Sequence, residues 1–364
     1  MSHDNHENPV ILSKTDRPTQ VRQGEELPID RLSEYLNEPL DSIEQFPSGF
    51  SNLTYLIRTR DRELVLRRPP IGAKIKTAHD MSREYRILSH LYPIYQKVPR
   101  PLLFCEDESI LGAPFYVMER VTGIILRAQK PRGLDLSPEL MRRLSETFVD
   151  NLAEIHEIDY NAAGLADLGS PQGYVKRQVE GWTKRYYNAR TGDVPAIEQL
   201  ATWLHQNLPA DSERPALIHN DYKYDNLVLA PEDLAHVIAV LDWEMATIGD
   251  PLMDFGTSLG YWVEATDPEE WQRYGFGLTS LPGSFTRTEL LEHYVRRTGR
   301  RIDDPVFYFA YGLLKIAVIV QQIYFRYQKG LTRDPRFAQL GALVKACGVL
   351  GQRAIELKRV DGLG

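Results

Sequence analysis

Asp221 and Asn226 stand five residues apart in the string His219-Asn220-Asp221-Tyr222-Lys223-Tyr224-Asp225-Asn226, and that pairing suits phosphoryl transfer. The chemistry needs a carboxylate to receive or orient the proton of an attacking hydroxyl. It also needs an amide oxygen a few residues on to hold Mg²⁺ beside the phosphates, with both groups on one rigid loop. The order and spacing fit the pattern H-x-D-x-x-x-x-N. A second acidic residue follows at a suitable offset. Leu227 to Leu229, the turn at Pro231-Glu232-Asp233, and Val237 to Leu241 read as a short hairpin. That hairpin delivers Asp242 to the end of a strand, where it can also bind the metal. The plainer alternative, a polar loop before a buried hairpin, gives Asp242 no purpose.

Elements upstream must hold a nucleotide against this loop. In Phe46-Pro47-Ser48-Gly49-Phe50-Ser51-Asn52, Gly49 lets the backbone approach a phosphate, and Ser51 and Asn52 offer donors. A plain turn is the alternative for these residues taken alone. In Leu64-Val65-Leu66-Arg67, strand alternation puts Val65 and Arg67 on one face, an apolar cover for the base two positions before a cation for the phosphates. Arg68 is the competing cation, but parity points it the other way. Glu84, on the next helix, is the expected carboxylate partner. A solvated Glu84 is the alternative, and Asp80 is the second candidate. The backbone of Val117-Met118-Glu119-Arg120-Val121 can read a base edge, at Glu119 and Val121.

The scaffold reads as strands first and helices later. Residues 1 to about 20 are polar and are expected to form a flexible tail, His3 and His6 included. A short helix spans Ile29 to Leu36. Strands follow at Leu53 to Arg58 and Glu63 to Arg68, then a helix from Ala78 to Tyr92 ended by Pro93. Strands at Leu102 to Glu106 and Phe115 to Arg120 complete the β region. From Ser137-Pro138, a capping hydroxyl before a proline at the first helical position, long helices take over. These run from Pro138 to His156 and from Gly173 to about Ala189. The organisation is therefore a tail over 1–20, a nucleotide-binding part over 21–121, and a part over 122–364 with the catalytic loop and an acceptor site.

Composition narrows the partners. The 364 residues are ample for two domains or one two-lobed enzyme. A formal net charge of −7 argues against nucleic acid or an anionic membrane surface as partner. The two cysteines, Cys105 and Cys347, form no metal or disulfide pattern and suit a reducing compartment. No apolar signal region opens the chain, and Phe307 to Tyr324, interrupted by Gly312, Lys315 and Gln321-Gln322, reads as a buried core helix. A cytoplasmic protein is expected.

Together these residues resemble the aminoglycoside phosphotransferase and choline kinase superfamily, over about residues 25 to 350. The specific matches are the His219–Asn226 loop, Asp242, and Gly249-Asp250-Pro251 followed by Asp254. Phe50-Ser51-Asn52-Leu53-Thr54-Tyr55 and Leu66-Arg67-Arg68-Pro69-Pro70 are similar to a subgroup found beside, or fused to, acyl-CoA dehydrogenases. The resemblance implies an α+β, protein-kinase-like fold with a small β-rich N-lobe and a larger helical C-lobe. It implies ATP, or GTP, with Mg²⁺. Asp221 would be the catalytic base and Lys223 a charge for the transferring group, as in protein kinases. Asn226 and Asp242 would hold the metal, Gly49 to Asn52 and Arg67 the phosphates. His219 and Asp254 would support the loop structurally. The chain departs from the pattern in having Arg67 where many relatives have Lys, and Trp243-Glu244 where protein kinases have Phe-Gly.

The implied activity is transfer of a γ-phosphoryl group to a hydroxyl of a small metabolite, with a hydroxyacyl thioester one candidate. An aminoglycoside or amino-alcohol kinase and a nucleotide-binding regulatory pseudokinase are the alternatives. A protein kinase fits poorly, since only a few residues separate Asp242 from Gly249, with no activation loop or A-P-E string. Trp182, Arg185, Tyr186, Tyr261 and Trp262 are candidates to line an acceptor pocket, with core packing as the alternative. Lys176, Arg177, Lys184 and Arg185 offer charge for an acyl carrier's phosphates. Glu264, Asp267, Glu269 and Glu270 form the kind of acidic cluster an aminoglycoside site would need but read better as a solvated loop, and His156 reads as a packed core histidine.

Overall fold

The computed structural model describes residues 17–47, 52–70, 80–130, 133–332 and 334–364. They fall into two compact units, Met1–Asp135 with Leu227–Glu244, and Leu136–Asn226 with Met245–Gly364. The division lies after Asp135, not at the expected 121/122, because the segment past Val121 stays with the sheet-bearing unit. Ile124 makes a two-way backbone bridge to Leu229, at 2.9 and 2.8 Å.

The first unit opens with α1 (Ile29–Leu36), β1 (Leu40–Gln45), β2 (Leu53–Thr59), β3 (Glu63–Arg68), α2 (Met81–Leu91), β4 (Pro101–Cys105), α3 (Glu108–Leu111) and β5 (Phe115–Glu119). The strands form one sheet in the order β1-β2-β3-β5-β4, antiparallel throughout. Period-two alternation divides its faces. Tyr55, Ile57, Leu64, Leu66 and Val117 join Leu27, Leu32 and Leu111 in one apolar cluster. The opposite face carries Val65 and Arg67, paired across to Met118 and Tyr116. Thr19, within the expected tail, is tied to Gln45 by backbone hydrogen bonds of 2.8 Å in both directions, and residues 1–16, His3 and His6 included, lie outside the described residues.

The second unit continues with α4 (Pro138–His156), α5 (Tyr174–Ala189), α6 (Pro195–Gln206) and the short β6 (Ala216–Ile218). Ser137 caps α4 by accepting from the Leu140 N–H at 3.3 Å, with Pro138 at the first turn, the start that the sequence signals. The chain then returns to the first unit for the hairpin β7 (Leu227–Leu229) and β8 (Val237–Val240). It re-enters the second unit with β9 (Thr247–Gly249), which pairs with β6, and the helices α7 (Pro251–Tyr261), α8 (Glu269–Gln272), α9 (Arg287–Thr298), α10 (Pro305–Gln328) and α11 (Leu340–Leu357).

α10 is the only helix among the described residues long and apolar enough to cross a membrane, yet 83% of its most apolar stretch is buried within the protein. It packs on α7, α11, α5 and α6, which explains its apolar circumference. It meets α7 where Gly256 and Gly312 face each other. A Cβ on Gly312 would collide with the carbonyl oxygen of Gly256, so the two backbones cross in direct contact. Gly312→Ala should therefore cost about 1–3 kcal/mol, the usual penalty of overpacking, as read from chemical denaturation. An unchanged midpoint would show that the crossing is slack.

Candidate active site

The loop after β6 is held from below by one buried carboxylate. Asp254, on α7 and fully buried, accepts the backbone N–H of His219 on Oδ2 and that of Asn220 on Oδ1, each at 2.7 Å. This two-point grip holds Asn220 in a left-handed conformation, φ 68°, which Asn tolerates better than most residues. Asn220 is fixed further by its side chain donating to the Met245 carbonyl at 3.0 Å, and by Lys315 Nζ on its own carbonyl at 2.5 Å. His219 accepts the Asp221 N–H on Nδ1 at 3.2 Å, so its ring lies behind the loop.

Beneath Asp254 sits His156. A carboxylate can only accept, so His156 Nε2 donates to Asp254 Oδ2 at 3.2 Å, and Nδ1 takes the Tyr294 hydroxyl at 2.7 Å. Burial holds the His156 pKa below its ordinary value although Asp254 opposes the shift, so the ring is neutral. Burial would also raise the Asp254 carboxyl. The bond from His156, with His219 and Lys315 nearby, outweighs burial and keeps the Asp254 pKa below the usual carboxylate value.

Asp221, Lys223 and Asn226 bond to one another on the same loop. Lys223 Nζ donates to both carboxylate oxygens of Asp221 at 2.9 Å and lies 4.7 Å from the centre of the Tyr261 ring. Burial works against the ammonium, but Asp221 and Tyr261 hold the Lys223 pKa well above that of an ordinary lysine. Asn226, in the one-turn 3-10 helix Tyr224–Asn226, donates its amide nitrogen to Asp221 O at 2.9 Å and to Asp221 Oδ2 at 3.0 Å. Both bonds use the nitrogen, so the amide oxygen is the atom left to face a cation.

The first unit assembles the other predicted group. Arg67 on β3 donates to Glu84 on α2 at 2.5 Å and to Asp242, just past β8, at 3.1 Å. Burial opposes its charge, but Glu84, Tyr116, Asp242 and Glu244 keep the Arg67 pKa well above the ordinary value. Asp242 is another left-handed non-glycine, φ 65°, with about a third of its side chain exposed. Its neighbour Trp243 is fully buried and donates to the Val240 carbonyl at 2.9 Å, which anchors the turn. Arg68 points to the opposite face, donating to the Leu111 carbonyl at 2.7 Å. Asp80 caps α2 by accepting the Arg83 N–H at 3.1 Å, so Glu84 and not Asp80 partners the cation. Glu244, which the sequence reading assigned no role, accepts from Asn52 at 2.8 Å and lies 3.9 Å from Arg67.

Val65 is buried on the Arg67 face. Glu119 commits its N–H to the Arg100 carbonyl at 2.9 Å, which leaves only its carbonyl as a candidate for a base edge, and Val121 follows half-buried. Gly49 and Ser51 lie outside the described residues. No cluster of three or more His, Cys, Asp or Glu that could hold a metal occurs among the described residues. Mg²⁺ needs none, because it takes one or two protein oxygens and completes its shell with water and substrate phosphates. The amide oxygen of Asn226 in the second unit, and the partly exposed carboxylate of Asp242 in the first, are each a hard oxygen donor of that kind.

Of the acceptor candidates, Trp182 and Arg185 line a pocket in the second unit, whereas Tyr186 and Trp262 are core residues; the Trp262 indole donates to the Phe285 carbonyl at 2.8 Å. The acidic loop was misread. Glu264 and Asp267 are buried, and Asp267 receives two bonds from the fully buried Arg287, at 2.9 and 2.5 Å. Only Glu269 and Glu270 are solvated. Lys315 was passed over as a mere interruption of an apolar run. A lone lysine inside a buried helix is the signal that marked it.

A family profile described as "phosphotransferase enzyme family" matches residues 42–292. The chain belongs to that family, and its fold is kinase-like. Among curated proteins it is 37% identical to acyl-CoA dehydrogenase family member 10 of Mus musculus, over 91% of this chain and 31% of that protein. It is also 37% identical to acyl-CoA dehydrogenase family member 11 of Homo sapiens, over 82% of this chain and 39% of that protein. The chain thus spans well under half the length of these relatives. A solved Ralstonia eutropha protein, provisionally named an aminoglycoside phosphotransferase, is 32% identical with a TM-score of 0.77, covering 91% of this chain and 99% of that one. The GDP complex of aminoglycoside 2'-phosphotransferase-IIIa, at 15% identity and TM-score 0.57, covers 87% of this chain and 96% of its own and shares the fold.

Neutral, buried His156 links stability to pH. Its folded pKa lies below the unfolded one, so the unfolded chain binds the extra proton and stability is lost as pH falls below about 6.5. Asp254, Tyr294, Glu157 and Arg300 face or surround the ring. Across pH 7.5 to 5.0 the thermal midpoint of the wild type should drop, and that of His156→Asn should start lower but drop less. Parallel slopes would mean that other groups govern the acid limb.

Proposed function

We propose that this protein transfers the γ-phosphoryl group of ATP or GTP to a hydroxyl of a small metabolite, with Asp221 as the base. The observation that carries the reading is the Asp221 carboxylate itself, fixed by Lys223 and Asn226 on a loop pinned by Asp254. An acceptor hydroxyl bonded to Asp221 would give up its proton there as its oxygen attacks the γ-phosphorus, and the bond to the bridging oxygen of the nucleoside diphosphate would break. Lys223, already charged and beside Asp221, would balance the developing charge on the transferred group. Arg67, locked to Glu84, would hold nucleotide phosphates with Asn52, Ser51 and Gly49. Val65 and the backbone at Glu119 and Val121 would receive the base. When bound, Mg²⁺ supplies neutralisation of the phosphate charge, and Asn226 and Asp242 are the residues that would hold it.

The match to proteins named acyl-CoA dehydrogenase family members supports a hydroxyacyl thioester as acceptor, because phosphorylation turns a poor leaving hydroxyl into a good one. Lys184 and Arg185, both exposed on α5, are candidates for its carrier end. The Ralstonia eutropha likeness supports an aminoglycoside as the second reading. A regulatory pseudokinase would not need Asp221, Asn226 and Asp242 all intact.

Calorimetry should show ATP or GTP binding that strengthens with Mg²⁺, and absence of binding at millimolar nucleotide would remove the donor half of the reading. Asp221→Asn should lose about 10²–10⁴ in turnover, the usual worth of a placed base, while keeping its thermal midpoint within a few degrees. Undiminished turnover would rule out Asp221 as base. Labelled ATP offered with hydroxyacyl-CoAs, kanamycin and a generic protein should label the thioester. Efficient labelling of kanamycin alone would move the assignment to the second reading.

A further inference from the structure

The second unit contains a pocket of about 270 Å³ beside the loop that carries Asp221, lined chiefly by Tyr174, Arg177, Trp182, Arg185, Asn220 and Lys315. Three of these residues are cations and no carboxylate lines the space. Arg185 stacks over the Trp182 ring at 4.4 Å, and Lys315 Nζ lies 5.7 Å from the centre of the same ring. Arg177 is braced on the carbonyls of Ser170 and Gln172. Lys315 is 1% exposed, and its hydrogen bonds go to Asn220 O at 2.5 Å and Asn220 Oδ1 at 3.4 Å. Among the described residues none of the three cations is in an ion pair; of the three only Lys315 is buried, and burying a charge is costly unless a partner compensates it.

Charge and size together limit what can enter. A polycationic acceptor would meet three like charges, whereas an anion would meet three charges of opposite sign. The volume is below that of a pocket for a drug-sized ligand, roughly 300–1,000 Å³, so it suits a head group of a few atoms. Asn220 both lines the pocket and immediately precedes Asp221, and the Asp221 charge is felt at Lys315 in the same pocket.

We propose that this pocket is the anion subsite of the acceptor, taking a carboxylate or phosphate group against Arg185, Arg177 and Lys315 so that the acceptor's hydroxyl is presented to Asp221. The assignment rests on the phosphotransferase reading and deepens it by naming the acceptor as anionic. It is consistent with the titration of Lys315. Burial, with Lys223 and Arg185 nearby, lowers its pKa to about 8 against the pull of Asp254 and Asp221, and an anion in the pocket would favour the charged form.

The test uses the full chain and two readouts. First, inorganic phosphate and acetate are titrated without nucleotide into the wild type, Arg185→Gln and Arg177→Gln; both arginines are exposed, so the variants should fold. At least one anion should bind, and each substitution should weaken it about 10-fold or more, the worth of a hydrogen bond to a charged group. Which anion binds better separates carboxylate from phosphate as the head group. Binding of neither, or binding that both variants retain, overturns the subsite. Second, a hydroxycarboxylate, a hydroxyalkyl phosphate and a neutral hydroxyamide are compared as acceptors with labelled ATP. One of the anionic acceptors should be preferred at least 10-fold over the amide, and Arg185→Gln should erase that preference by raising KM while nucleotide affinity stays at the wild-type value. Equal use of the amide overturns the proposal and leaves the kinase reading intact. Anion binding that Arg185→Gln abolishes, in a protein that binds no nucleotide, overturns the kinase reading and leaves the subsite.

Discussion

The loop that carries Asp221 depends on how one buried carboxylate spends its two oxygens. Asp254 gives one to the His219 N–H and the other to the Asn220 N–H, each at 2.7 Å. A charge with no exposure survives in the interior only when hydrogen bonds replace its water, and here two backbone donors and a neutral histidine do so. The reward is geometric. A loop that could otherwise sample many shapes is held at consecutive peptide units, one of them at positive φ, and the next residue is Asp221. The close crossing of α7 and α10 at Gly256 and Gly312 fixes the helix that carries Asp254 and the helix that carries Lys315, so loop and pocket share one foundation.

The first unit solves a similar problem with a cation. Arg67 reaches Glu84 and Asp242 from two of its nitrogens, with Glu244 3.9 Å away. A planar guanidinium with several fixed donors can hold two carboxylates at once, which a lysine's single ammonium does with less directional control. The replacement of lysine at this position thus has a local reason. It joins strand β3, helix α2 and the turn after β8 through one side chain.

How much of this could be read beforehand depended on whether a feature was local. The hairpin to Asp242, the strand parity of Arg67 and Arg68, and the start of α4 at Ser137-Pro138 all rest on spacing within a few residues, and the structure shows each. Edge strand β1 escaped because Leu40–Gln45 carries only two aliphatic residues and pairs with a single other strand. Glu264 and Asp267 were taken for solvated because their partner, Arg287, lies 23 and 20 residues further on, and nothing near them announces it. Glu244 likewise gained its place through contacts far away in sequence, among them Asn52, 192 residues distant. Lys315 was visible as a charge in an apolar helix, but its target, the carbonyl of Asn220, is a backbone atom and leaves no trace in composition.

The hairpin β7–β8 leaves the helical unit after Asn226 and returns to it at Met245, so the sheet-bearing unit is discontinuous in the chain. No single cut releases it whole. A fragment stopping at Asp135 would lack Leu229, the bridge partner of Ile124, and Trp243, which packs edge-on against Tyr95 at 6.3 Å. The two crossings fall directly after the amide of Asn226 and two residues after Asp242, the two groups proposed to share a metal. In polymer terms the hairpin is a loop inserted into the chain of the helical unit, so a single nick within it leaves both of its ends attached to that unit.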